Sequence, residues 1–144
     1  MKNILVPIDF SASTPAVLRA AEDLARRSQA RIVLVAVVRP PVVLSENAPA
    51  TGDFALQDRG NAGKKLAACA SKLAAAGFEV DAVERYGPPI PCIVEEATRA
   101  QAEYVVMGSH GHSAVYELFV GGTTAGVLKK APCPVLIVPH GRRS

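Results

Sequence analysis

Two glycine-rich segments towards the C-terminal end of the chain have the composition of an anion-binding site. They span residues 108–113 and 121–124, and the second opens a predicted helix. Glycine lets a ligand approach the backbone without meeting a Cβ atom, and the N-terminus of a helix carries about half a positive charge. Serine and threonine hydroxyls in both segments supply further donors. Together the segments predict a cradle for a phosphate group, while glycines at such turns also occur merely because a chain bends tightly there.

Two better-known phosphate-binding motifs do not occur in the sequence. The P-loop pattern GxxxxGK[ST] is absent, so a P-loop ATPase is not expected. The dinucleotide fingerprint GxGxxG would occupy the first strand-to-helix turn, but residues 9–14 contain no glycine. The second predicted strand is followed by Arg39, where an NAD site needs an acidic residue. Nicotinamide cofactors are therefore disfavoured.

Three titratable residues are candidates for chemistry at this site. Asp9 follows the first predicted strand, where its carboxylate could either bind a ligand or cap the next helix. His112 could donate to a phosphate near neutral pH or simply face solvent, and His110 and His112 alone do not make a metal site. Hydrolysis would need a base together with a cation, and the predicted cradle contains no lysine or arginine. We therefore predict binding with little or no turnover.

The elements that must position these residues alternate regularly along the chain. Short apolar runs rich in β-branched residues are typical of strands that a parallel sheet buries on both faces. Strands are predicted over residues 3–8, 32–38, 78–83, 104–107 and 135–138, and helices after residue 13, over 58–76 and 89–100, and up to residue 130. This alternation predicts an α/β fold, a doubly wound parallel sheet with helices on both faces. Such sheets bind ligands beyond the carboxyl ends of their strands, where the strand order reverses.

Local signals indicate where these elements begin and end. Ser13 offers a hydroxyl cap for the first helix, and Pro15 suits its first turn. Gly77 is expected to end the second helix. The alternation of apolar and polar residues over 78–83 predicts a strand at an edge or exposed on one side. Residues 40–57 contain three prolines and no periodicity, which predicts a loop that either folds over a ligand or has no role.

Length and composition exclude several classes of protein. The 144 residues suit one domain, residues 1–144, and the longest apolar run, residues 32–38, is far too short to cross a bilayer. Pro7 and Asp9 interrupt the first apolar stretch before it could form the core of a signal peptide. The net charge is +3 and basic residues are scattered, so nucleic acid is not an expected partner. The three cysteines lack metal-ligand spacing, which predicts reduced thiols in the cytoplasm: Cys69, Cys92 and Cys133.

Four separated motifs make the chain resemble the universal stress protein family over its whole length. They are ILVPIDFS at residues 4–11, MGSHG at 107–111, the spacing Gly108-x2-Gly111-x9-Gly121, and KKAPCPVLIV at 129–138. The resemblance implies the branch of the family that carries GxxGx9G followed by Ser or Thr and binds ATP. With it we expect a five-stranded sheet of order 3-2-1-4-5.

The resemblance assigns candidate binding residues position by position. Asp9 matches the family's acidic residue near the ribose or the metal-phosphate group, Pro7 shapes the end of the first strand, and the backbone of Val37 matches the position that reads the adenine edge. The other matches surround the ribose and phosphates: Gly108, Ser109, His110, Gly111, His112, Ser113, Gly121, Gly122, Thr123 and Thr124. Gly122 departs from the family pattern, which has Ser or Thr there. The lost hydrogen bond to a charged group is worth about 1.5 to 3 kcal/mol, so a lower affinity is expected.

The resemblance also implies a function and a partner. We expect a cytoplasmic regulatory protein of the stress response that binds ATP with Mg²⁺ and hydrolyses it little or not at all. The alternatives are a relative that no longer binds nucleotide and acts by protein contacts, or a slow ATPase. A homodimer through the fifth strand, residues 135–138, is expected from the family, and an apolar edge strand favours it on physical grounds.

Overall fold

The predicted alternation of strands and helices is confirmed in the computed structural model. The structure describes residues 2–39, 51–109 and 120–139, and of residues 51–60 it describes the backbone only. The elements are β1 (Asn3–Pro7), α1 (Thr14–Ser28), β2 (Arg31–Val38), α2 (Thr51–Ala75), β3 (Val80–Tyr86), α3 (Pro89–Arg99), β4 (Ala102–Gly108), α4 (Gly122–Lys130) and β5 (Val135–Val138). The described residues form the predicted doubly wound α/β fold.

The described strands form one parallel sheet of order β3-β2-β1-β4-β5, as predicted. β1 lies at its centre, where Leu5 is paired with Val33 of β2 and with Val105 of β4. The chain builds outward from β1 through β2 to β3, and then returns to the other side of β1 for β4 and β5. The strand order therefore reverses between β1 and β4, and the rule for open sheets places a ligand beyond the carboxyl ends of these two strands.

Two apolar layers cover the faces of the sheet, which explains the continuous apolar runs of the inner strands. On one face Ile4 and Val6 belong to a cluster with buried residues of α1 and α2. On the other face Leu5 packs with Ile93 of α3 and Val127 of α4. Because neighbouring strand residues point to opposite faces, every residue from Ile4 to Val6 is fully buried.

The start of α1 differs from the sequence prediction in one respect. Pro15 lies in the first turn as expected, but Ser13 makes no side-chain capping hydrogen bond. Ser13 has φ −79° and ψ −15°, which is already helical, whereas a capping side chain requires an extended backbone at that position. The predicted hydroxyl cap at Ser13 is therefore wrong.

The boundaries of α2 and β3 also differ from the prediction. α2 begins at Thr51 rather than at residue 58, so part of the predicted loop over 40–57 is helical, since residues 50–75 contain no proline. Residues 40–50 lie outside the described part. Gly77 ends the helix as predicted and has φ +101°, a conformation that favours glycine.

β3 begins at Val80 and continues to Tyr86 because β2 pairs with it over this whole range, from Ile32 with Val80 to Val38 with Tyr86. The Arg85 guanidinium pairs with Glu95 at 2.7 Å and with the buried Glu96 at 3.2 Å. The backbone at residue 78 instead closes the end of α2, where its N–H donates to the Leu73 carbonyl at 3.2 Å. The predicted strand over 78–83 is thus shifted, while its expected position at an edge of the sheet is confirmed.

Three free cysteines lie within the described residues, and two of them are shielded from ionisation. Burial raises the pKa of the Cys69 and Cys133 thiols, so both stay protonated at neutral pH. Cys92 is buried beside Tyr86, and its thiol donates to the Tyr86 carbonyl at 3.8 Å. In the described part of the chain, no helix combines the length and the apolar character that a bilayer crossing requires.

Candidate functional site

A cleft of about 1040 Å³ opens where the strand order reverses. Its walls are the turn after β1, the end of β2, one face of α2, the start of α3, the end of β4 and the first turn of α4. Predicted site residues lie on each of these walls except those formed by α2 and α3. The cleft is the place where a doubly wound sheet is expected to hold a ligand.

The cleft brings together eight of the thirteen predicted site residues: Pro7, Asp9, Val37, Gly108, Gly121, Gly122, Thr123 and Thr124. Ser109 is buried next to them, where its N–H donates to the Val138 carbonyl at 2.8 Å. The remaining predicted residues lie outside the described part of the chain: His110, Gly111, His112 and Ser113. Residues that are about one hundred positions apart in the sequence thus meet at one edge of the sheet.

The first turn of α4 presents backbone N–H groups to this cleft. The Gly121 N–H donates to the Ser109 carbonyl at 2.7 Å, which ties the start of the helix to the end of β4. The next three amides, of Gly122, Thr123 and Thr124, precede the first helical hydrogen bond and find neither a capping side chain nor a carbonyl among the described residues. An added Cβ at Gly122 would meet none of the described residues within 4 Å. This end of the helix can therefore receive an anion.

The Thr124 hydroxyl is already engaged in the structure of the site. It donates to the Gly108 carbonyl at 2.7 Å, and Thr124 is buried. Because a hydroxyl has one proton, it can only accept a further hydrogen bond while this contact persists. Thr124 thus fastens α4 to β4, whereas Thr123 is half-buried on the wall of the cleft.

The turn after β1 holds the acidic residue of the cleft. Asp9 is exposed, and its Oδ1 accepts a hydrogen bond from the Ser11 N–H at 3.0 Å. This bond organises the turn three residues ahead of α1, where the Ser11 hydroxyl in turn accepts a hydrogen bond from the Ser13 N–H at 3.4 Å. Phe10 in the same turn has φ +60°, an uncommon conformation for a bulky residue.

The backbone of Val37 faces the space that β1 leaves when it ends. The Ile8 N–H donates to the Val35 carbonyl at 2.9 Å, and the Gly87 N–H donates to the Val38 carbonyl at 3.1 Å. Successive residues of a strand turn their backbone groups to opposite neighbours, so Val37, like Val35, points towards the β1 side. No hydrogen bond joins the Val37 backbone to the described turn after β1. Val37 thus offers one N–H and one carbonyl to the cleft.

Two cationic side chains that were not among the predicted site residues also line the cleft. They are Arg39 after β2 and Lys65 on α2. A crossover helix that follows a parallel strand starts at the carboxyl edge of the sheet, and α2 lies beside the site as far as its middle turns. On those turns Asn61, Ala62 and Lys65 share the face that lines the cleft. The helical period combined with this rule could have found Lys65 before the structure was known.

The sequence profile of the "Universal stress protein family" matches residues 1–139 of the chain. The chain belongs to the universal stress protein family. The resemblance stated from the motifs is thereby confirmed. A universal stress protein of Thermus aquaticus is 33% identical over 138 residues, covering 95% of this chain and 98% of its own, and one of Bacillus subtilis is 30% identical, covering 94% and 97%.

Solved structures of universal stress proteins have the same fold. UspA of Lactobacillus plantarum has a TM-score of 0.84 at 25% identity and covers 95% of this chain and 97% of its own. A universal stress protein solved in complex with cAMP has a TM-score of 0.73 at 24% identity, covering 97% and 98%. One from Archaeoglobus fulgidus, solved in complex with dAMP, has a TM-score of 0.71 at 21% identity, covering 96% and 98%. Both complexes concern those proteins; for this chain they show the fold.

Proposed function

We propose that this universal stress protein binds an adenine nucleotide, ATP in the first place, in the cleft beyond β1 and β4, and acts as a regulatory module of the stress response. The observation that carries the proposal is the first turn of α4, where three amides have no hydrogen-bond partner among the described residues. They face a cleft whose described lining includes two cations and one acid. Helix N-termini of this kind bind phosphate groups. The proposal treats residues 1–144 as one nucleotide-binding domain.

The adenine base fits the other end of the cleft. The Watson–Crick edge of adenine carries one acceptor, N1, and one donor, the N6 amino group. Val37 offers a donor and an acceptor on the same backbone segment, facing the gap beside the end of β1. Backbone groups read this edge without any demand on the side chain, which fits a valine at that position. We infer that adenine lies at Val37 and the phosphates at α4.

Mg²⁺ would arrive with the phosphates. In nucleotide sites this ion is held by one or two carboxylates together with phosphate oxygens. Asp9 supplies one such carboxylate, and the described residues contain no cluster of three or more His, Cys, Asp or Glu side chains that could hold a metal without the nucleotide. The residues therefore fit an ion shared between Asp9 and ATP. Bound there, the ion would neutralise phosphate charge.

Relatives support the proposed ligand class. Two universal stress proteins of the same fold were solved with adenine nucleotides, cAMP in one and dAMP in the other. Those ligands carry one phosphate, so they favour an adenine nucleotide in general and leave the length of the phosphate chain to experiment. Gly122, where ATP-binding members have Ser or Thr, is the feature of this chain that weakens the expectation of tight ATP binding.

Slow ATP hydrolysis is the second candidate, and Arg39 and Lys65 favour it. Hydrolysis requires a cation near the terminal phosphate as well as a base that orients water. The cleft contains both cations, with Asp9 as the candidate base. Labelled ATP measures the turnover, with Lys64→Met as the surface control. A turnover that is lost in Asp9→Ala and kept in Lys64→Met would favour the enzyme. We expect turnover at or near the background level.

Mass spectrometry of the natively purified protein tests the proposal directly. We expect a copurified adenine nucleotide, and a rise in melting temperature with Mg-ATP because a ligand that binds only the folded state stabilises it. The absence of both effects at millimolar Mg-ATP would leave the remaining alternative, a relative that no longer binds nucleotide and acts by protein contacts.

We also propose a cytoplasmic location, since three free cysteines suit a reducing compartment.

A further inference from the structure

Lys65 lines the cleft and has no carboxylate partner in the part of the chain that the structure describes. Its ammonium lies 5.6 Å from the centroid of the Phe10 ring. Among the described residues it forms no ion pair, although the same residues contain five other ion-pair contacts. The side chain is exposed and lines the cleft. Its charge is therefore available to a ligand that enters.

Both supports of this lysine are firmly placed. On α2 the next residue, Leu66, is 3% exposed and packs into the core, which fixes the helical position of Lys65. Phe10 is half-buried against the same core, and its turn is organised by the bond from the Ser11 N–H to Asp9. The left-handed backbone of Phe10, φ +60°, sets its ring at the mouth of the cleft. Strain of this kind often accompanies a functional site.

The contact between Lys65 and Phe10 is weak enough for an anion to displace it. An ammonium over the half-buried Phe10 ring is attracted only by the ring quadrupole, whereas a hydrogen bond from an ammonium to a phosphate is assisted by both charges. Lysine has a long, flexible side chain with three donors, so it can turn from the ring into the cleft with no change in the backbone. Entry of a phosphorylated ligand would therefore recruit the lysine.

We propose that Lys65 is a phosphate-binding residue that leaves the Phe10 ring when a nucleotide occupies the cleft and donates to a phosphate oxygen. This inference rests on the proposed function and adds the residue that distinguishes between ligands. Because Lys65 binds a phosphate, the cleft prefers nucleotides to the corresponding nucleoside. The amides of α4 and the ammonium of α2 then approach the phosphate chain from different elements, and both contacts require a phosphate.

Titration calorimetry with ATP and with adenosine tests this role. Lys65→Met keeps an unbranched side chain of similar length and removes the charge, and Lys65→Arg keeps the charge. We expect Lys65→Met to weaken ATP binding about tenfold, the loss of one charge-assisted contact, and to leave adenosine binding unchanged. Lys65→Arg should retain most of the affinity for ATP. Lys64→Met is the matched control, because Lys64 is the exposed neighbour on α2 and does not line the cleft.

The possible outcomes separate this inference from the proposed function. If wild-type protein binds neither ATP nor adenosine, the proposed function fails and the role of Lys65 fails with it. If wild-type protein binds ATP and Lys65→Met binds it equally well, or loses ATP and adenosine to the same degree, only the role of Lys65 is overturned. An equal loss in Lys64→Met would also overturn it, since the effect would then come from the general charge of α2.

Discussion

At the scale of single residues, Gly122 marks the difference between this chain and the ATP-binding pattern of its family. Its N–H faces the cleft, and an added Cβ would meet no atom of the described residues within 4 Å. Its backbone has no positive φ that would exclude other residues. The glycine is therefore not required by the fold, and a side chain at this position can be tested without strain.

We expect Gly122→Ser to tighten ATP binding. The new hydroxyl would sit beside the amides of α4 and donate to a phosphate oxygen, a contact worth about 1.5 kcal/mol or roughly tenfold in affinity. Calorimetry with ATP measures the gain, and adenosine serves as the control because it lacks the phosphates. Unchanged affinity for ATP would mean that the phosphates do not reach the first turn of α4.

The two functions of Asp9 can be separated by a pair of substitutions. Asp9→Asn keeps an oxygen that can accept from the Ser11 N–H, whereas Asp9→Ala removes both the charge and this acceptor. We expect both variants to lose the enhancement of ATP binding by Mg²⁺, and only Asp9→Ala to lose stability, by about 1 kcal/mol. Calorimetry with and without Mg²⁺, together with urea denaturation, measures the two effects. A full enhancement by Mg²⁺ in Asp9→Asn would contradict the metal role.

At the scale of elements, the site depends on how α4 is attached to the end of β4. Two hydrogen bonds make the attachment: the Thr124 hydroxyl to the Gly108 carbonyl at 2.7 Å, and the Gly121 N–H to the Ser109 carbonyl at 2.7 Å. α4 also packs closely on α3, since an added Cβ at Gly126 would clash with the Ile90 side chain. The direction of the helix N-terminus is thus set by neighbours on two sides.

Thr124→Val tests the attachment of α4. Valine has a similar shape but no hydroxyl, so the Gly108 carbonyl loses its partner at a buried position and stability should fall by about 1 to 3 kcal/mol. ATP binding should weaken as well, because the amides of α4 are no longer held in place. Urea denaturation and calorimetry measure the two effects. Thr124→Ser retains the hydroxyl, and a loss of ATP affinity in Thr124→Ser as large as in Thr124→Val would contradict this role.

At the scale of the whole molecule, β5 lies at an edge of the sheet and has an unpaired side within the described residues. The Val105 N–H donates to the Pro134 carbonyl and the Ser109 N–H to that of Val138, so the even-numbered backbone groups of β5 face β4. The odd-numbered groups, those of Val135 and Ile137, face outward. Leu128 and Leu136 add exposed apolar surface on α4 and β5. We propose that a second copy of the chain pairs here, giving a homodimer.

Ile137→Pro tests the homodimer without breaking the sheet. Proline removes one N–H, and at residue 137 this N–H faces outward, so the bonds between β4 and β5 are kept. Light scattering during gel filtration should find a dimer for the wild-type protein and mainly monomer for the variant. Circular dichroism checks that the variant is folded. A folded variant with an unchanged dimer mass would refute pairing through β5.

The sequence by itself determined the order and type of the elements and the family of the chain. Burial on both faces of a parallel sheet demands continuous apolar runs, such as that of β2. The glycines at 77, 108 and 121 indicate turns whatever the tertiary packing around them. These are local properties, so they can be read from neighbouring residues. Where a boundary depended on a distant partner, as that of β3 does on its backbone pairing with β2, the prediction was shifted.

Only the tertiary structure decided which groups of the candidate site remain available to a ligand. In the structure the Thr124 hydroxyl donates to the Gly108 carbonyl, and the Asp9 carboxylate accepts from the Ser11 N–H in the turn before α1. Lys65 reaches the cleft from α2, a helix that the motifs do not include. Hydrogen bonds and charge contacts of this kind join residues far apart in the chain. Their partners depend on the packing of the helices against the sheet, and no spacing within a single segment specifies that packing.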